Sequence, residues 1–265
     1  MSRSGKHLLL GILLLAGLGA ASAPARSSSW QENVSMRVDV GGMPSGTAHV
    51  YDSDDYQRML LVFDDRPLAF LLDLGATSVF GVPHDSVHVA GEGSAEIGQV
   101  QGDLLTTLDQ KEGILSFSQG DQAISVQPIP PLIGRATLER ILELKPSYAL
   151  GAGKYKPDPG KIAALKTVSA DTEVRVFFGT WCLMCKRMLP GLIRTLDVAA
   201  NPKIRATYIG VDEDLKEPAA EISASAVNKT PTVIVLQSGR EIGRIEEEVT
   251  TSIEADLAAI LAAKR

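Results

Sequence analysis

Cysteine is scarce in this chain, which has two cysteines among 265 residues. Two thiols allow at most one intrachain disulfide, so a scaffold held together by several bridges is excluded. Basic charge is also in deficit, with 26 Lys and Arg against 32 Asp and Glu and a net charge of -6. A nucleic-acid-binding chain needs a basic face, so we expect no nucleic-acid partner. The 45% of apolar residues excludes a largely disordered protein.

Long hydrophobic runs are lacking as well. The run over residues 8–18 follows Arg3 and Lys6 and precedes small residues that continue to Ala25. It is too short to cross a bilayer, which takes about 20 apolar residues. The pattern predicts a secretory signal peptide over residues 1–25, cleaved after Ala25, with a periplasmic or secreted mature chain. An uncleaved N-terminal anchor is the alternative, and we expect no transmembrane segment after cleavage.

Residues 30–144 have the pattern of a mostly-β domain. Residues 34–40 alternate apolar and polar side chains, which predicts a half-buried strand. Residues 113–126, with Gly120 near the middle, predict a hairpin. Residues 145–157 contain two prolines and two glycines, so we predict a linker there. The other candidate boundary is Pro128–Pro131, and the predicted helix after it, over residues 137–144, could belong to either half. No recognisable chemistry marks the β-rich domain, and its role stays open.

One stretch of the β-rich domain has three interpretations. Residues 70–78 run as a strand into Asp73-Leu74-Gly75, and Leu132-Ile133-Gly134-Arg135 follows much later before a helix. Together they resemble a retropepsin-type aspartic protease, but that family requires Thr or Ser where Leu74 stands, and its catalysis needs two aspartates that meet. The other two interpretations are a degenerate relative of that barrel and a surface turn in which Asp73 and Gly75 have ordinary turn roles.

Residues 158–265 alternate helices and strands. This order predicts an α/β domain with a central mixed sheet flanked by helices. The predicted elements are a helix over 159–166, a strand over 173–178, a helix over 183–199, a strand over 204–211, a helix over 217–227, a hairpin over 232–246 and a helix over 253–263.

Both cysteines lie in the segment Trp181-Cys182-Leu183-Met184-Cys185-Lys186, between the first predicted strand and the long helix. A thiol at a helix N-terminus has a lowered pKa, because unpaired amides and the helix dipole favour an anion. Cys185 lies one turn further on the same face and can close a disulfide with Cys182. Such a pair can cycle between dithiol and disulfide, whereas a purely structural bridge over so short a loop would stabilise little.

The residues around the cysteines match a family. The run Phe177-Phe178-Gly179-Thr180-Trp181-Cys182-x-x-Cys185-Lys186, with Pro190 after it and Thr230-Pro231-Thr232 later, resembles thioredoxin-fold proteins. It is most similar to exported TlpA/ResA-type thiol-disulfide oxidoreductases. The resemblance covers roughly residues 158–265.

The resemblance implies a role for each matching residue. Cys182 would be the attacking thiol and Cys185 the resolving thiol, exchanging a disulfide with client proteins. Trp181, Thr230 and Pro231 would line the substrate site, with Pro231 in the cis form. The resemblance implies no organic cofactor, and a membrane electron donor would have to recycle a reductase. The dipeptide Leu183-Met184 leaves the direction of electron flow open.

The segment also departs from the thioredoxin pattern. Val176 stands where thioredoxins place a buried acid, and Tyr208 stands near the position of the lysine that pairs with it. Glu173 and Asp212 are possible substitutes. The missing acid motivates the alternative function, a thioredoxin-like binding or scaffold protein that no longer turns over and whose β domain docks a partner.

A metal site is not expected. Zinc needs four ligands, and by residue type alone His84 and His88 could complete a ligand set with the two cysteines. Both histidines lie in the β-rich domain, far from the cysteines in the sequence, and we interpret them as part of a polar turn.

Overall fold

The computed structural model describes residues 28–90, 93–97 and 102–263. The predicted signal peptide, residues 1–25, lies outside the described residues. No helix in the described part of the chain is long and apolar enough to span a membrane.

The described residues are rich in strands up to residue 136 and alternate helices with strands after it. The first thirteen strands are β1 Ser28–Glu32, β2 Met36–Val40, β3 Met43–Pro44, β4 Ala48–Ser53, β5 Arg58–Phe63, β6 Leu68–Asp73, β7 Ser78–Pro83, β8 Val87–Ala90, β9 Ser94–Ile97, β10 Asp103–Thr107, β11 Asp109–Lys111, β12 Ile114–Gln119 and β13 Gln122–Pro128. The elements that follow are β14 Gly134–Ala136, α1 Leu138–Leu144, α2 Pro146–Lys154, α3 Pro159–Lys166, β15 Thr172–Phe178, α4 Leu183–Ala199, β16 Ile204–Gly210, α5 Ala219–Ser225, β17 Thr232–Gln237, β18 Arg240–Glu246 and α6 Ile253–Ala262.

Two antiparallel sheets form the β-rich part. One has eight strands in the order β10-β7-β6-β5-β4-β1-β9-β8, and the other has five in the order β11-β12-β13-β2-β3. In β5, Leu61 and Phe63 point into a core shared with the five-stranded sheet. Leu60 and Val62 point to the opposite face, where they pack with Trp30 and other side chains of the same curled eight-stranded sheet. Successive residues of a strand face opposite sides, so β5 is buried on both faces.

A third sheet carries the cysteine segment. Its order is β14-β16-β15-β17-β18, with β15 and β16 parallel and β17 and β18 antiparallel to their neighbours. Val174, Val176 and Phe178 of β15 point to the face covered by α4 and α6. Phe177 points to the opposite face, where it packs with Ile222 of α5. Helices therefore cover both faces, and the predicted helix over 183–199 is confirmed.

The predicted linker differs from the structure. Most of residues 145–157 form helix α2, which buries Tyr148 and Ala152. Pro146 occupies the first helical turn, where its missing N–H leaves no intrahelical bond unmade. Pro146, Gly151 and Gly153 of the predicted linker therefore lie within a helix.

The junction before α2 also differs from the expected division of the chain. The predicted β-rich domain extends to residue 144, but β14 pairs antiparallel with β16, with Arg135 opposite Ile209. Ile141 of α1 lies in the same core as Val174 and Val176. These residues therefore pack with the third sheet.

In the β-rich part, Asp73 caps a turn. Its carboxylate accepts a hydrogen bond from the backbone N–H of Ala76 at 2.8 Å. This contact fits the turn interpretation of Asp73-Leu74-Gly75.

Candidate active site

The cysteine segment begins where β15 ends. Cys182 is the N-cap of α4, and its sulfur accepts a hydrogen bond from the backbone N–H of Cys185 at 3.0 Å. The carbonyl oxygen of Cys182 accepts the N–H of Lys186 at 3.1 Å, which is the first bond of the helix. Because the N-terminal N–H groups of a helix lack intrahelical partners, this position favours a negative charge on the Cys182 sulfur.

Cys182 and Cys185 form a disulfide in the structure. Cys185 is completely buried, and Cys182 is 5% exposed. The Cys182 sulfur lies 3.6 Å from the carbonyl oxygen of Thr230, and the peptide between Thr230 and Pro231 is cis, as the resemblance implies. The fold thus brings four of the five predicted site residues together.

Trp181, the fifth predicted site residue, is held on the side of the disulfide next to β16. Its indole N–H donates to the carbonyl oxygen of Val211 at 3.1 Å, and Val211 in turn donates its N–H to Phe178 at 2.9 Å. A side chain at Gly179 would overlap the indole ring. This glycine therefore leaves the space in which Trp181 lies.

A groove of about 440 Å³ runs along the other side of α4. Met184, Arg187 and Met188 form one wall of the groove. The opposite wall comes from residues 247–253, and Glu247 donates its N–H to the carbonyl oxygen of Pro231 at 2.8 Å. Neither the cysteines nor Pro231 is among the residues that line this groove.

The expected substitutes for the missing acid are occupied elsewhere. Glu173 pairs with Arg175, which lowers the pKa of that carboxyl, and it lies at the end of β15 remote from the cysteines. Asp212 accepts the backbone N–H groups of Lys216 and Glu217 at 2.7 and 2.8 Å, so it caps its own loop.

The two positions of the departure are apolar or aromatic and buried. Val176 is completely buried. The Tyr208 ring packs edge-on against Phe178, and burial raises the pKa of Tyr208 to about 12. The interior beneath the cysteines is therefore uncharged at these two positions.

The residues that sequence reasoning missed come from the β-rich part. Glu32, at the end of β1, forms an ion pair with Lys186, the residue after Cys185. His49 of β4 lies between two carboxylates, with Nδ1 3.0 Å from Glu32 and Nε2 3.2 Å from Asp64. Glu32 and Lys186 are 154 residues apart in the sequence, so no local pattern in the sequence could have revealed the pair.

Lys145, between α1 and α2, belongs to the same group. Its ammonium donates to the carbonyl oxygen of Val34, and the residue is 6% exposed. Burial and the charge of Lys186 lower the pKa of Lys145 to about 7, although Glu32 acts in the opposite direction. The junction of the two parts thus contains a partly buried, charge-rich cluster, defined by Glu32, His49, Lys145 and Lys186.

A second contact joins the β-rich part to the cysteine segment. Leu183 lies directly over Gly93, so that a Cβ built on Gly93 would stand 2.9 Å from the Leu183 side chain. Gly93 has a φ of +74° and accepts the backbone N–H of Glu32 at 2.7 Å. The β-rich part therefore contacts α4 at both Leu183 and Lys186.

The described ranges 28–90, 93–97 and 102–263 contain no group of three or more His, Cys, Asp or Glu side chains able to hold a metal ion. His84 lies in a short 3-10 turn and His88 in β8, both within the β-rich part.

Comparison with protein families gave no matching family model. Comparison with curated proteins found a thioredoxin of Echinococcus granulosus that is 35% identical over 69 residues. The match spans 26% of this chain and 59% of the length of that thioredoxin.

The solved structures similar to this chain include two thioredoxin-related chains. A mutant thioredoxin from Halobacterium salinarum is 24% identical, with a TM-score of 0.28, over 37% of this chain and 77% of its own. The structure titled Trxlp from Edwardsiella tarda is 22% identical, with a TM-score of 0.29, over 40% of this chain and 94% of its own.

The partial match to a curated thioredoxin supports a thioredoxin-like fold in the matched part of this chain.

Proposed function

We propose that this protein is a thiol-disulfide oxidoreductase that exchanges a disulfide with client proteins through Cys182 and Cys185. The observation that carries the proposal is the position of the disulfide at the N-terminus of α4, where the Cys182 sulfur accepts the N–H of Cys185. A purely structural disulfide needs no such position. A redox disulfide benefits from it, because the same N–H groups stabilise the thiolate that forms on reduction.

The exchange consists of two displacements. In the reductive direction, the Cys182 thiolate attacks a client disulfide, a mixed disulfide forms, and one client sulfur leaves as a thiolate. Cys185, deprotonated, then attacks the Cys182 sulfur and releases the second client thiolate. The client gains two electrons and the Cys182–Cys185 pair loses them. The oxidative direction is the same sequence reversed.

We also propose the finer assignment to the exported TlpA/ResA type. The run Phe177 to Lys186 and the signal-like pattern of residues 1–25 support it. A reductase of this type needs a membrane electron donor to return the pair to the dithiol. Trp181, Thr230 and Pro231 are proposed to bind the client chain beside Cys182.

A trapping experiment tests the assignment of the two thiols. Cys185→Ser removes the resolving thiol, so mixed disulfides between Cys182 and client proteins should accumulate and run as larger species on non-reducing gels. Cys182→Ser removes the attacking thiol and should trap nothing. Equal adduct patterns in the two variants contradict the assignment.

The low exposure of Cys182, 5%, favours a second candidate, a binding or scaffold protein that does not turn over. Insulin reduction with dithiothreitol as electron donor separates the two functions. Turnover that depends on Cys182 supports the oxidoreductase. A folded chain without turnover, whose disulfide glutathione buffers cannot open, supports the scaffold.

A further inference from the structure

The β-rich part contacts α4 immediately beside the two cysteines. Leu183 and Lys186 are three residues apart, so they lie on one face of the helix, next to the face that carries Cys182 and Cys185. Leu183 packs on Gly93, and Lys186 forms its ion pair with Glu32. The first turn of α4 is therefore held between the third sheet and the end of β1.

Glu32 is a well-fixed carboxylate. Its side chain is 8% exposed, β1 pairs it with Tyr51 of β4, and its backbone N–H is bonded to Gly93. Burial raises the pKa of the Glu32 carboxyl, but the contacts with His49 and Lys186 outweigh burial, and the pKa lies below its usual value. A buried carboxylate that stays charged needs such partners.

Lys186 connects Glu32 to the redox site. Its backbone N–H donates to the carbonyl oxygen of Cys182. A displacement of Lys186 would therefore also displace the helical turn that holds the Cys182 sulfur. Its ammonium is the positive charge closest in sequence to Cys185. The side chain of Lys186 is 22% exposed, and water screens its charge only in part.

We propose that Glu32 is a positioning residue for the redox site: it holds Lys186 in place, balances its charge, and thereby sets the electrostatic field at Cys182. This inference rests on the proposed function for its choice of Cys182 as the attacking thiol. It also assigns the β-rich part a role, which is to supply the counter-charge to the cysteine helix.

Other charged or titratable groups face the Glu32–Lys186 pair from every element packed against it. When Glu32 or Lys186 is replaced, each of these groups can bind or release protons and so offset part of the lost charge. The variants are therefore compared at one ionic strength. These groups are His49 and Tyr51 of β4, Asp64 after β5, Lys145 between α1 and α2, and Lys154 of α2, which pairs with Asp64.

The test measures the pKa of the Cys182 thiol in the reduced full-length protein, from the rate of iodoacetamide alkylation between pH 4 and 10. Glu32→Gln leaves the Lys186 charge unbalanced, so the thiolate is favoured and the pKa should fall by about half a unit to one unit. At a pH below the midpoint, alkylation should then be roughly three- to tenfold faster. Lys186→Met leaves Glu32 unbalanced and should raise the pKa by a similar amount.

The double variant Glu32→Gln/Lys186→Met removes both charges and should return the pKa close to that of the unmodified chain. Glu173→Gln is the matched control, because it removes a carboxylate that is also paired, with Arg175, but remote from the cysteines. It should leave the pKa unchanged.

Equal pKa values in the unmodified chain, Glu32→Gln and Lys186→Met overturn the proposal. If Glu32→Gln does not fold, Lys186→Met decides alone, and an unchanged pKa in that variant contradicts the inference. The thiol pKa is measured without a client, so failure here is distinct from failure of the proposed function, which would appear as absent disulfide exchange in the unmodified chain.

Discussion

At the scale of single residues, Cys182 combines two roles that are usually separate. As N-cap it accepts a backbone N–H through its sulfur, a role that Ser, Thr, Asp or Asn normally fills. As half of a disulfide it is one of the two sulfurs that an exchange reaction would attack. The same hydrogen bond that begins the helix is thus available to stabilise the leaving or attacking thiolate.

Gly93 gives a prediction at this scale. Ala at Gly93 must adopt a positive φ and place its Cβ against Leu183. We expect Gly93→Ala to lower the free energy of unfolding by about 2–3 kcal/mol, as measured by urea denaturation.

Gly120 supplies the control for Gly93. It has a φ of +58° in the turn between β12 and β13, and no atom lies near the Cβ position. Gly120→Ala should therefore lower the free energy of unfolding by about 1 kcal/mol, from backbone conformation alone. Leu183→Ala should lower the free energy of unfolding less in the Gly93→Ala variant than in the unmodified chain, because it removes the side chain that the new methyl group would contact. Equal losses for the two glycine variants contradict a close contact between Gly93 and Leu183.

At the scale of elements, α2 and α4 pack closely because of one glycine. Gly151 of α2 faces Pro190 inside α4, and a Cβ on Gly151 would stand 2.9 Å from the proline Cβ. Gly153, half a turn further along α2, is exposed and has no atom near its Cβ position. One glycine of this helix has a packing role and the other does not.

The two glycines of α2 should therefore respond in opposite directions to alanine. Gly153→Ala should raise the free energy of unfolding by about 0.5–1 kcal/mol, because alanine has the higher helix propensity. Gly151→Ala should lower it, because the new methyl group displaces α4 at Pro190. Urea denaturation of both variants checks the signs, and stabilisation by both would contradict the packing of α2 on α4.

At the scale of the whole molecule, sequence reasoning succeeded where the signal is local. Helix α4 follows from apolar spacing, and its beginning follows from the cysteine segment; both lie as predicted. The strands predicted over 173–178 and 204–211, before and after α4, match β15 and β16. The short β-branched run of β17 gives an equally local signal.

Sequence reasoning failed where contacts are distant in the chain. Nothing near Glu32 marks it as a partner of Lys186, since each is an ordinary surface-type residue in its own segment. Pro146 and Gly151 favour a linker over residues 145–157 because both residue types disfavour a helix. In the structure Pro146 begins α2, and Gly151 leaves space for Pro190 of α4. In both cases tertiary packing decides the role of the residue.

The whole molecule is thus a cysteine helix on a mixed sheet, with a β-rich part that contributes charge and contacts to its first turn. We propose that the Cys182–Cys185 disulfide of this molecule is a working redox couple. The test is to equilibrate the folded full-length chain in glutathione or dithiothreitol buffers and to read the thiol state by alkylation mass shift. We expect a single reversible two-electron transition, in which about 30 mV changes the equilibrium tenfold. A disulfide that opens only when the chain unfolds would show that the pair is not a redox couple.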